Sequence, residues 1–208
     1  MRTRLALTAP CVLVVALLLV AVPANAGLIN RGNGMIYDDF LKITWLQDAN
    51  YAMTNGDDAD GVMDWTAANK WAARLSYGGY DDWRLPTTLT PCLDYGCKSS
   101  EMGHMFYTNL GVTANNDVST GANTANLALF TNLMSGVYWS GTSAATLYDW
   151  YFDMRSGDQG KGNTNDYRYA WAVRDGNVGA SPVPDPGSSL LLLGMSLVGL
   201  RAWRKRLG

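Results

Sequence analysis

Histidine is nearly absent from this chain: among 208 residues there is one, His104, and only three cysteines. A protein zinc site draws on several His and Cys side chains, so a dedicated zinc centre is a poor expectation. A Ser/His/Asp set would have to use His104, which has no nucleophile partner in its neighbourhood. No glycine loop with phosphate-binding spacing occurs either. Charge is sparse, at 16% of residues, and long apolar runs are missing from everything except the two ends.

Those two ends are distinctive. Arg2 and Arg4 precede an apolar run over 5–20, and Ala24-Asn25-Ala26 follows it as a small-x-small cleavage site. This is the three-part pattern of a secretory signal peptide over 1–26, with Ala24, Ala26 and Gly27 at the signal-peptidase site. Cys11 lies inside the apolar run, where a lipid-bearing cysteine would not. At the other end, Val183-Pro184-Asp185-Pro186 precedes an apolar stretch over 190–200 and the basic cluster Arg201, Arg204, Lys205 and Arg206. A helix over 187–203 would be about 25 Å long, slightly short of a ~30 Å hydrocarbon core. The basic residues favour a cytoplasmic end. The tail over 183–208 resembles the PEP-CTERM sorting signal of Gram-negative bacteria that make extracellular polysaccharide, with Asp185 in place of the usual Glu. The resemblance implies recognition by an exosortase, a transient membrane anchor through a transmembrane helix, and a final place on the cell surface or in the extracellular matrix.

Removing both ends changes the electrostatics. Residues 27–182 carry 10 Lys and Arg against 17 Asp and Glu, a net of −7, whereas the whole chain is at −2. Nucleic acid and anionic polymers are therefore poor partners for the mature part as a whole. Neutral sugars and divalent cations stay open. Two cysteines remain, Cys92 and Cys97, flanking a short loop. An oxidising periplasm favours a disulfide between them, with a redox pair or half a metal site as alternatives.

The mature segment reads as one α+β domain. Strands are expected over 35–37 and 43–46, where β-branched and aromatic residues gather. The acidic stretch 50–64 holds Asp57, Asp58, Asp60 and Asp64. Calcium is the cofactor that such carboxylates suggest, yet an EF-hand register fails. Setting Gly61 at its sixth position puts Gly56 first and Ala67 where a bidentate Glu belongs. A solvated loop and an irregular cation site both remain. Asp64 should cap a helix over 65–77 with Trp65 and Trp71 toward the core. Ser99 or Ser100 should cap a second helix reaching Leu110. The stretch 113–125 reads as a long loop, and strands are expected over 137–141, 148–154 and 168–174. A turn at 156–160 should join the last two. A linker over 177–182 leads to the tail.

Five segments, "ITWLQDAN", "DWTAANKWAARLSYGGYDDWRLPT", "EMGHMFYTNLG", "VYWSGT" and "YAWAVRDG", occur in that order. Together they resemble the Lcl C-terminal domain family of exported bacterial proteins, over 27–176. Asp82, Trp83, Arg84, Pro86, Tyr138 and Trp139 carry its most specific motifs and are expected to be structural, with Arg84 buried against Asp81 or Asp82. The resemblance implies a C-type-lectin-like fold, related to formylglycine-generating enzymes: a twisted antiparallel sheet with two helices and a long loop. Neither the "EPN" nor the "WND" calcium motif of C-type lectins is present, and the spacing of Cys92 and Cys97 does not match the enzymes' thiol pair. The leading expectation is a noncatalytic surface or biofilm-matrix protein that binds carbohydrate or adheres, with extracellular polysaccharide as the expected partner. Tyr148, Trp150, Asp166 and Arg168 are the candidate ligand-binding residues, since aromatic faces stack on sugars and polar tips bond hydroxyls. A carboxylate-dependent enzyme using two of Asp149, Asp153, Asp158 and Asp166, and a purely structural matrix component, are the alternatives.

Overall fold

A computed structural model describes residues 27–89 and 92–179. The expected signal peptide and sorting tail lie outside the described residues. Among the described residues, no helix is long and apolar enough to cross a membrane.

The chain forms two curled sheets with short helices between them. The first holds β1 (Leu28–Gly32), β2 (Met35–Asp38), β3 (Ile43–Leu46) and β9 (Val173–Asp175), in the order β1-β2-β3-β9. Every pairing in it is antiparallel, so the first and last strands of the domain share one sheet. The second holds β4 (Val62–Met63), β8 (Arg168–Tyr169), β5 (Val137–Ala145), β6 (Tyr148–Asp153) and β7 (Gln159–Asn163), in that order. Here β5 and β8 are parallel and the other pairings are antiparallel.

The expected strand over 168–174 is two strands in different sheets. Between them Ala170, Trp171 and Ala172 are wholly buried. Trp171 packs on Trp45, Phe130 and Tyr138 and donates its indole N–H to the Leu46 carbonyl at 2.8 Å. The chain therefore crosses from one sheet to the other through the centre of the core, where apolar residues on both sides make the run look like a continuous strand. The turn expected over 156–160 is also shifted. Gln159 and Gly160 already belong to β7, a strand whose three glycine-flanked positions hide its β character.

Helix α2 (Trp65–Arg74) starts where expected, with the Asp64 carboxylate accepting from the Ala67 amide at 2.8 Å. It stops at Arg74, short of Tyr77, because Leu75 is extended. Its buried residues are Ala68 and Ala72, and Trp65 and Trp71 are half-buried at its flanks. Small side chains let the helix lie close to the second sheet, and the two indoles straddle that contact. The Trp65 indole donates to the Ser140 carbonyl at 2.8 Å. Ser100 caps α3 (Glu101–His104), which continues as a π-helical turn over Met105–Asn109 and ends at Leu110, as expected of the second helix. Two further one-turn helices, α1 (Tyr51–Thr54) and α4 (Thr124–Leu127), interrupt the stretches expected to be loops.

Candidate functional site

The motif residues converge on the seam where the domain closes. Arg84 makes a forked pair with Glu101 at 2.8 and 2.9 Å and a further bond to Asp175 at 2.5 Å. The expected partners, Asp81 or Asp82, are not used. Asp82 instead takes Arg174 of β9, at 2.6 and 2.8 Å. Burial pushes the Arg84 guanidinium down, but Glu101 and Asp175 together hold it above its ordinary value. The Arg174 hydrogen bonds hold the Asp82 carboxyl below the usual carboxylate range. Both pairs tie the 82–87 segment to the last strand. Trp83 is buried and donates to the Tyr77 carbonyl. The Pro86 carbonyl accepts from the Gly141 amide and the Ser140 hydroxyl. Tyr138 and Trp139 are fully buried, the first accepting from the Met134 amide and the second donating to the Met63 carbonyl at 2.9 Å.

The four candidate ligand-binding residues are not brought together. Along β6, Tyr148 and Trp150 alternate with Asp149 and Tyr151, so they point to one side of the sheet. Tyr148 is 50% exposed, whereas Trp150 is 3% exposed with the Lys161 ammonium over its ring. Trp150 offers no open face for stacking. Arg168 lies on the other side of the sheet, between the rings of Trp139 and Tyr151 at 4.7 and 4.5 Å, and pairs with Asp166 at 2.6 Å. Gly160 and Gly162 make this possible: a Cβ at either would strike the Tyr151 hydroxyl or the Arg168 guanidinium. The stack thus explains the alternating glycines of β7.

The four candidate catalytic carboxylates are each engaged. Asp149 is buried and accepts from Thr164, Asp153 pairs with Arg155, Asp158 accepts from Tyr151, and Asp166 holds Arg168. Among the described residues, no group of three metal-binding side chains gathers. In the acidic stretch, Asp57 accepts from the Trp71 indole at 3.0 Å and from the Asn55 amide at 2.7 Å. Partial burial pushes the Asp58 carboxyl up, but the amides of Asp60, Gly61 and Val62 hold it below the usual range.

The acidic stretch nonetheless forms one wall of a cleft of about 540 Å³, with α2 as the other wall. Asn55, Asp57 and Asp58 line it together with Lys70, Trp71 and Arg74 of α2 and with Ser76. Neither Lys70 nor Arg74 forms an ion pair among the described residues. A cleft lined by an aromatic ring and by amide, carboxylate, hydroxyl and cationic groups is suited to a polyhydroxylated ligand. Trp71, expected to face the core, packs against both clusters of buried residues, while its indole N–H reaches out to Asp57. Its proximity to Asp57 depends on a chain reversal that periodicity does not report. Cys92 and Cys97 form a disulfide, and the loop they close lies against β7 through paired backbone bonds between Asp94 and Gln159.

Two families match the chain. The Lcl C-terminal domain covers residues 34–174, and the PEP-CTERM protein-sorting motif covers residues 182–206. The sorting motif implies recognition by an exosortase and export to the cell envelope or surface of a Gram-negative bacterium. No curated protein matches the chain.

Proposed function

We propose, from the premise that this chain belongs to the Lcl C-terminal domain family, that it is a noncatalytic surface or matrix protein that binds carbohydrate. The cleft between the acidic stretch and α2 is the binding site in this reading, and it replaces the Tyr148, Trp150, Asp166 and Arg168 set. The observation that carries it is the half-buried Trp71, which lines that cleft with Asn55, Asp57 and Ser76 and donates its indole N–H to Asp57. A pyranose ring can stack on the indole while its hydroxyls bond the surrounding polar groups. The C-type-lectin-like arrangement expected from the sequence is consistent with two curled sheets that bring the first and last strands together. It does not by itself decide function. The cell-surface matrix, the producer's exopolysaccharide included, is the proposed setting, and calcium is a variable of the test.

A glycan array, run on residues 27–179 with and without calcium and including the producer's exopolysaccharide, tests the reading. Binding to at least one neutral glycan is expected. Asn55→Ala and Asp57→Ala, both at exposed positions, should weaken it about tenfold or more while leaving the thermal midpoint nearly unchanged. Absence of binding to every glycan overturns the sugar-binding reading. Concentration-dependent growth in particle size in its place would indicate a structural matrix component.

A further inference from the structure

The two ends of the domain leave from one place. Gly27, the first residue expected after signal removal, bonds the β2–β3 turn in both directions: its amide donates to the Asp39 carboxylate, and its carbonyl accepts from the Asp39 amide at 3.2 Å. At the other end, the Gly176 amide donates to the Lys42 carbonyl at 2.8 Å, and the Gly176 carbonyl accepts from the Thr44 hydroxyl at 2.7 Å. Residues 39–42 therefore hold both the first residue expected after signal removal and the end of the last strand, two residues before the buried Val178.

The tail has little slack. Val178 is 0% exposed and packs into the main core, so the domain extends beyond its last strand. From Val178 to Val183, at the start of the sorting motif, the extended chain spans no more than about 18 Å at ~3.6 Å per residue. Gly176, which is bonded to the turn, is seven residues before Val183, so a sorting motif held at a membrane keeps Gly176 within about 25 Å of it at ~3.6 Å per residue. The turn also has the composition of an interfacial contact. Phe40 is 63% exposed, with one ring face stacked on His104 at 4.6 Å. Lys42 is exposed beside it, and Lys98 lines the same cleft as Phe40, of about 470 Å³. An aromatic ring with flanking lysines suits the headgroup region, where the ring enters the acyl boundary and the ammonium groups remain among phosphates. Asp39 and Asp175 lie on the same edge. The first is occupied by Gly27 and the second by Arg84.

We propose that the β2–β3 turn is the surface of this domain that rests on the lipid bilayer while the sorting tail is attached. The proposal rests on the sorting-tail reading of the C-terminus. One phenylalanine and two lysines are too few for stable docking alone, so the short tether supplies the effective concentration that keeps the turn at the surface.

The test uses the full chain after signal removal, reconstituted into vesicles of phosphatidylethanolamine and phosphatidylglycerol. A single fluorophore is placed by Lys42→Cys or, in the exposed loop that leads into β8, by Tyr167→Cys, with the native disulfide kept oxidised. Brominated lipid should quench the label at 42 at least about twofold more than the label at 167, and Phe40→Ser should reduce the difference. Failure of the protein to float with vesicles overturns the tail reading and this proposal with it. Flotation with equal quenching, or with stronger quenching at 167, overturns the bilayer-facing turn alone.

Discussion

At Arg84, a single guanidinium joins three parts of the chain: its own turn, α3 through Glu101, and β9 through Asp175. Glu101 also accepts from the Thr87 amide at 2.6 Å, so removal of Arg84 leaves a largely buried carboxylate with only part of its compensation. Arg84→Ala should therefore cost about 2–3 kcal/mol in urea unfolding, with most of the loss on the Glu101 side. The Asp175 side chain is 78% exposed and contributes little. Arg84→Lys should recover only part of the loss, because an ammonium cannot reproduce the fork. His104 gives a second residue-scale outcome. Burial holds its imidazole below the ordinary value of 6.5, against a smaller upward pull from Asp38. Between the folded value and 6.5 the unfolded chain binds the proton and the folded chain does not. Stability from this group is complete above pH 6.5 and declines as the pH falls through that window. His104→Phe, which preserves a flat ring against Phe40, should make the thermal midpoint less dependent on pH just below 6.5.

Among the elements, the disulfide loop over 92–97 fastens onto β7 by backbone bonds from Asp94 and by the Gln159 amide, which donates to the Cys92 carbonyl at 2.7 Å. A cross-link closing so short a loop restricts the unfolded chain by about 2 kcal/mol. Cys92→Ser with Cys97→Ser should lower stability by about that amount and speed amide exchange at Asp94 and Gln159, measured by native-state hydrogen exchange. The elements also divide by how much of their identity is local. Strands β2 and β3, the start of α2 and the Ser100 cap were legible because propensity, apolar pattern and capping chemistry agreed within a few residues. Strand β7 was not, since Gly160 and Gly162 are dictated by Tyr151 and Arg168 arriving from elsewhere. The break between β8 and β9 was hidden for a related reason: a buried crossover and a buried strand have the same apolar composition. The candidate site failed in the same manner. Trp71 and Asp57 meet across a chain reversal, and Trp150 is closed off by Lys161 on the next strand.

For the whole molecule, the core connects both sheets through Trp45, Tyr138 and Trp171, so closing the last strand completes the interior as well as the first sheet. The tail therefore departs from a finished fold, and the end of that fold can be located by truncation. Val178 is buried in the main core although it lies past β9 and past the matched family segment ending at 174. A chain ending at residue 179 should be as stable as one carrying the linker. Ending at 176 removes the buried valine and should cost about 1–3 kcal/mol in urea unfolding. Ending at 172 removes β9 with Arg174 and Asp175, leaves Asp82 without its partner and exposes the edge of β3, and should abolish cooperative unfolding. If the chains ending at 176 and 179 proved equally stable, Val178 would not secure the tail, and the short reach assigned to the tether would lengthen accordingly.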